Sequence, residues 1–144
     1  MSVNYDIEIE KGSTFVLHVK YLDSNNKVVD LDGMTAGMQV RRFSTSSTKL
    51  LEFTSSPYGV TAGVTGGSGG IRLNASHTGG TSGFVAGISG STGGIYVIAD
   101  PTTTANVPVG SHVYDLELNT GNNTYRLLEG RVEVKGNTTR WNYK

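Results

Sequence analysis

Residues 111–119 read Ser-His-Val-Tyr-Asp-Leu-Glu-Leu-Asn. Tyr114, Leu116 and Leu118 alternate with Asp115 and Glu117. An extended backbone turns successive side chains to opposite faces, so the apolar groups share one side and the carboxylates the other. A helix would scatter them. The next four residues, Thr120-Gly121-Asn122-Asn123, have the composition of a hairpin turn. Thr124–Lys135 then returns with Leu128, Val132 and Val134 in phase. Gly130 interrupts that run where a bulge or a close contact would sit. The stretch 111–135 therefore predicts a β-hairpin with one wet and one dry face.

The same period extends outward from this hairpin. Upstream, Ile95–Ala99 reads as a strand. Asp100–Val107 follows as a capped single turn: Asp100 can accept backbone N–H bonds, and Pro101 suits the first helical position. Thr35–Arg42 alternates, with Ala36, Met38 and Val40 on one face, and Lys49–Thr54 has Leu51 and Phe53 in phase. Residues 5–10 and 13–23 complete the pattern, the second with Phe15, Leu17, Val19 and Tyr21 on one face. The remainder is turn chemistry, as in Asp23-Ser24-Asn25-Asn26. About seven or eight strands at roughly 10-residue spacing predict an all-β, antiparallel β-sandwich. Helix is expected only at 100–107.

Residues 59–93 differ in kind. Most of the chain's 20 glycines fall there, among Ser, Thr and Ala. The segment is read as a Gly/Ser/Thr-rich insertion within one domain spanning 1–144, a projecting loop or hairpin that orders against a neighbour. Phe84, Val85 and Ile88 would be wasted on a tether, so they are assigned to an interface. Trp141 and Tyr143 near the C-terminus either cover the end of the sandwich or anchor a partner.

Composition narrows the function classes. Twelve acidic and twelve basic residues balance, and no basic stripe appears, which argues against nucleic acid as a partner. There is no cysteine, hence no disulfide and no thiolate metal site. No apolar run approaches membrane-spanning length, and the N-terminus lacks the pattern of a signal peptide, so a protein made soluble in the cytosol is expected. His18, His77 and His112 form no metal-ligand spacing and read as surface or strand-face residues. Asp30 and Asp32 flank Leu31 without the remaining ligands of a calcium loop. Asp115 and Glu117 share a face, as a glycosidase pair would, but also as any exposed strand does. Gly66-Gly67-Ser68-Gly69-Gly70 has neither the Lys-Ser/Thr nor the helix of a phosphate loop. No enzyme, cofactor or metal is expected. Arg41 is assigned a structural ion pair with Asp115 or Glu117, across the sheets or at a subunit contact.

Several stretches together carry a family likeness: LDGMTAGMQVR (31–41), GIYVIA (94–99), VYDLEL (113–118), YRLLEGRVEV (125–134) and TTR (138–140). This order resembles a recurrent domain of tailed-bacteriophage virion proteins, similar to the N-terminal domain of upper baseplate proteins. The likeness covers most of the chain outside roughly 59–93, where family members commonly have a short hairpin. It implies an Ig-like sandwich without catalytic residues. It implies further a virion structural protein of the tail, baseplate or fibre-attachment apparatus, located in the virion and assembled in the host cytoplasm. The expected partners are other virion proteins and further copies of the chain in a homo-oligomer, with no membrane. Two other roles compete: a capsid decoration protein, and a carbohydrate- or host-surface-binding module stacking sugars on Tyr58, Phe84, Tyr96, Trp141 or Tyr143.

Overall fold

The computed structural model describes residues 3–21, 24–25, 27, 31, 33–56, 58–63, 65–73, 76–77, 84–85 and 94–136, with the backbone alone at 65, 76–77 and 84–85. Among the described residues the regular secondary structure is almost entirely strand. In order these are β1 (Val3–Asn4), β2 (Ile7–Glu10), β3 (Phe15–Lys20), β4 (Thr35–Arg41), β5 (Leu51–Ser55), β6 (Tyr58–Ala62), β7 (Thr65–Gly66), β8 (Gly69–Leu73), β9 (Ser76–His77), β10 (Phe84–Val85), β11 (Gly94–Ala99), β12 (Gly110–Asn119) and β13 (Thr124–Lys135). One short helix, α1 (Pro101–Thr104), lies between β11 and β12.

The strands form two main sheets. The larger runs β1-β13-β12-β4-β5-β6-β7, with β2 also pairing β13, and the smaller runs β3-β11-β8. Strands β9 and β10 make a separate antiparallel pair. Pairing is antiparallel except where β1 and β2 lie parallel to β13. The sheets share one core. Ile9, Met38, Val40, Leu51, Phe53, Leu116, Leu118, Val132 and Val134 come from the larger, and Phe15, Leu17, Ile71, Ile95 and Val97 from the smaller. Phe15 and Phe53 meet across the interface, ring centroids 6.1 Å apart.

The predicted hairpin is present as β12–β13, with Tyr114, Leu116 and Leu118 buried and Asp115 and Glu117 on the other face. The bulge lies not at Gly130 but where the register shifts, leaving Leu127 unmatched between the Leu116↔Leu128 and Glu117↔Arg126 pairs. Gly130 serves the other purpose, a close approach. The N-terminal segment between β1 and β2 crosses it so tightly that a Cβ there would stand 2.5 Å from the Tyr5 carbonyl oxygen. Two further bonds fix that crossing: the Tyr114 hydroxyl donates to Tyr5 O at 2.5 Å, and Asp6 Oδ1 accepts from the Arg131 amide at 3.0 Å.

The capped turn is also present. Asp100 Oδ1 accepts from the Thr103 amide at 2.9 Å, and Pro101 opens the helix. Its buried threonines tie loops together. Thr104 Oγ1 donates to Ser13 O at 2.8 Å and accepts from Gly12 N at 3.1 Å, while Thr103 Oγ1 accepts from Ser68 N at 3.1 Å.

The glycine-rich stretch departs from its reading. Residues 58–63 and 65–73 are not external to the domain body: they supply β6 and β7 to the larger sheet and β8 to the smaller. Gly69 and Gly70 take φ of +145° and +148°, which side chains rarely adopt, and a Cβ on Gly70 would strike the Tyr58 ring. Glycine here lets β8 pack tightly against β6. That use leaves few apolar residues to reveal the strand, although Val60, Ala62 and Ile71 are buried. Of residues 74–93, only the backbone of the β9–β10 pair is described.

Candidate functional site

The most featured surface is the outer face of the larger sheet, where β4, β12 and β13 lie side by side. Registration arranges its side chains in rows running across the strands. The first row is Arg41, Val113 and Arg131. Glu52, Gln39, Asp115 and Glu129 form the second. Thr54, Gly37, Glu117 and Arg126 make the third, and Thr35, Asn119 and Thr124 the fourth.

Two clefts lie end to end on this face. One, of about 380 Å³, is lined by Asn4, Arg41, Ser44, Val113, Arg126 and Arg131, among others. The second, of about 350 Å³, is lined by Thr35, Gly37, Glu117, Asn119 and Thr124. Gln39 and Asp115 border both, so the two make one groove. Gly37, with no side chain, keeps the floor open between Thr54 and Glu117.

The charges within the groove are sorted. Arg126 is the hub: its guanidinium stands 3.5 Å from Asp115, 3.9 Å from Glu117 and 3.3 Å from Glu129. Lys49 bonds Glu52 at 2.9 Å, and Gln39 donates to the other Glu52 oxygen at 2.8 Å. The Lys49 ammonium beside it holds the Glu52 carboxyl below the usual carboxylate range, burial working against this and the Gln39 amide adding to it.

Arg41 does not pair with Asp115 within the chain. Its register partner is Val113, while Asp115 stands opposite Gln39, one row away. The Arg41 guanidinium donates instead to Ser46 O at 2.7 Å and Gln39 Oε1 at 2.8 Å. Asp115 goes to Arg126, which the bulge brings within reach.

The other residues that the sequence brings forward fall elsewhere. The side chains of Phe84 and Val85, and the whole of Ile88, Trp141 and Tyr143, lie outside the described residues, as do Asp30 and Asp32. Tyr96 is 7% exposed on the central strand of the smaller sheet, stacked on His18 at 4.2 Å, so it offers no platform to a sugar. Tyr58 is 41% exposed, but the Arg72 guanidinium lies 4.1 Å over its ring. His112 is no surface residue: it is 1% exposed, with Nε2 bonded to Pro108 O at 2.9 Å and Nδ1 without a hydrogen-bond partner among the described residues. Its even-numbered place beside Tyr114 carried that signal. Among the described residues, no three His, Asp or Glu side chains gather closely enough to hold a metal ion.

Arg126, Arg131 and Gln39 do not stand out in the sequence. The signal for them is that they share the outward phase of strands whose inward phase is apolar. No protein-family model matches the chain, and no curated protein is significantly similar to it.

Proposed function

We propose that this chain is a non-enzymatic structural module of a tailed-phage virion, built on an Ig-like sandwich and acting through protein–protein contacts in the tail, baseplate or fibre-attachment apparatus. One observation carries the reading. The motifs GMQVR, VYDLEL and YRLLEGRVEV, which carry the likeness, occupy the neighbouring strands β4, β12 and β13. Their inward residues make the core, and their outward residues make the groove. A sequence pattern that builds both a rigid block and its contact face suits a part whose work is to be held between neighbours.

The arrangement of edges supports the same reading. Among the described residues the smaller sheet ends at β3 and β8, and the larger at β7 on one side, strands through which neighbouring chains can add. The segment between β8 and β11 adds a second contact element, since Leu73 and Ile95 are paired neighbours and the 20 or so residues between them are not needed to join the strands.

The test is mass in solution by light scattering, for the intact chain and for one with residues 75–92 replaced by a two-residue Asn-Gly turn. A defined oligomer that becomes a folded monomer on trimming supports an assembly module whose inserted segment makes the contact. A trimer would favour capsid decoration. If both forms are monomers, self-association is not the role, and copurification with other virion proteins decides what remains of the proposal.

A further inference from the structure

The outer groove contains a charge imbalance that the fold itself does not resolve. Its first row holds two arginines, Arg41 and Arg131, on either side of Val113, and no carboxylate. Adjacent strands lie about 4.8 Å apart, so the two α-carbons are about 10 Å apart. From that separation two guanidiniums can close on one group above the valine.

Neither arginine has an ion-pair partner among the described residues. Arg41 is half-buried, and both its hydrogen bonds go to uncharged acceptors, Ser46 O and Gln39 Oε1. Those bonds orient the planar fork in advance and leave other N–H groups to donate. Glu52 stands behind Gln39 and is engaged there by both Gln39 and Lys49. Arg131 is exposed, and Asp6 takes its main-chain amide rather than its guanidinium. The three cationic residues around the cleft thus divide: Arg126 is paired with Asp115, Glu117 and Glu129, whereas Arg41 has only the attraction of Glu52 without a direct ion pair, and the Arg131 guanidinium has no ion pair among the described residues.

We infer that the Arg41–Val113–Arg131 row is a receptor for a single carboxylate on an extended segment of a protein partner, with a cation two residues along that segment meeting the Asp115–Glu129 row. The width of the positive zone argues for this ligand. It is one row deep, and carboxylates border it immediately. A nucleic acid or sulfated polymer, with charge at every step, would run from the arginines onto Asp115 and Glu129 and be repelled. A strand presenting an acid and, two residues on, a base has both on one face about 7 Å apart, which matches the spacing between these rows. Arg–carboxylate bonds are charge-assisted and often bidentate, so the contact contributes specificity as well as affinity.

This inference rests on the reading of the chain as a contact module, and its test is separate from the measurement of mass. The 15N-labelled full chain is titrated with the peptide Ac-Thr-Glu-Thr-Lys-Thr-NH2 and followed by NMR. Saturable shifts are expected at the amides of Arg41, Val113 and Arg131. Arg131→Gln, at an exposed site, should weaken binding about tenfold, the loss of one charge-assisted contact. Lys135→Gln, outside the groove, should leave it unchanged. The proposal is overturned if no saturable shift appears, or if the Gln analogue of the peptide binds equally well. It also falls if Lys135→Gln weakens binding as much as Arg131→Gln, or if a heparin hexasaccharide binds the groove more tightly than the peptide. Shifts that grow with protein concentration alone would make a second copy of this chain the occupant, against the proposal of a separate partner.

Discussion

Tyr114 ties the N-terminal segment to strand β12. Its ring is in the core, and its hydroxyl reaches the Tyr5 carbonyl, 109 residues away in sequence. Burial pushes this hydroxyl up to about 12, with Tyr5 and Asp6 nearby adding to the shift. The fold therefore favours the neutral phenol. Because the folded value lies above the ordinary 10.0, the stabilisation is complete below pH 10 and is lost as pH rises from there through about 12. Denaturant unfolding should give a flat stability up to about pH 10 and a fall above it. Tyr114→Phe should cost about 1 kcal/mol at neutral pH, the net worth of one hydrogen bond, and should make the alkaline fall shallower. An unchanged alkaline limb in that variant would assign the effect to other groups.

Among the elements, the pair β1 and β2 is the one whose attachment depends most on a single small residue. They lie parallel on β13 with a kink between them, and Gly130 makes room for the kink. An added methyl would meet a main-chain oxygen, which cannot turn aside as a side chain can. Gly130→Ala is expected to cost about 1–3 kcal/mol, the usual range for overpacking. Hydrogen exchange gives the sharper readout. The amides of Tyr5 and Arg131, bonded to Glu129 O and Asp6 Oδ1, should lose protection while the β4–β5 amides keep theirs. Loss of protection throughout the sheet would show that the N-terminal strands are not a separable element. The salt bridge Lys135–Glu8, also between β13 and β2, is exposed and adds little against such a strain.

For the whole molecule, the decisive contact is between the sheets. Phe53 is fully buried and meets Phe15 from the facing sheet. Phe53→Ala should destabilise by about 3–5 kcal/mol. Amides of β11 and β12, one strand from each sheet, should lose exchange protection in the same transition, since each sheet buries its apolar face only against the other. Separate transitions would mean two independently stable layers.

The local part of this organisation was present in the sequence. Alternation from Tyr114 to Leu118 fixed which side chains go inward, because side-chain direction in a strand depends only on parity along the chain. Asp100 and Pro101 announced the helical turn for an equally local reason, the bonding needs of its first amides. His112 lay in the inward parity too, two residues before Tyr114, and that parity was the sign of its burial. What only the tertiary structure decided is what lies beside what. Arg41 meets Val113 rather than Asp115 because the antiparallel register, not residue charge, sets the neighbours. Arg126 reaches Asp115 through a bulge at Leu127, where the apolar pattern carried no sign of one; at Gly130 the pattern left a bulge or a close contact open, and the contact is what forms. Strands β6 to β8 were hidden because glycine's value there is the absence of a side chain, and a missing side chain has no periodicity to read. The row of arginines without a direct ion pair is legible only once three strands, separated in sequence by up to 90 residues, are laid edge to edge.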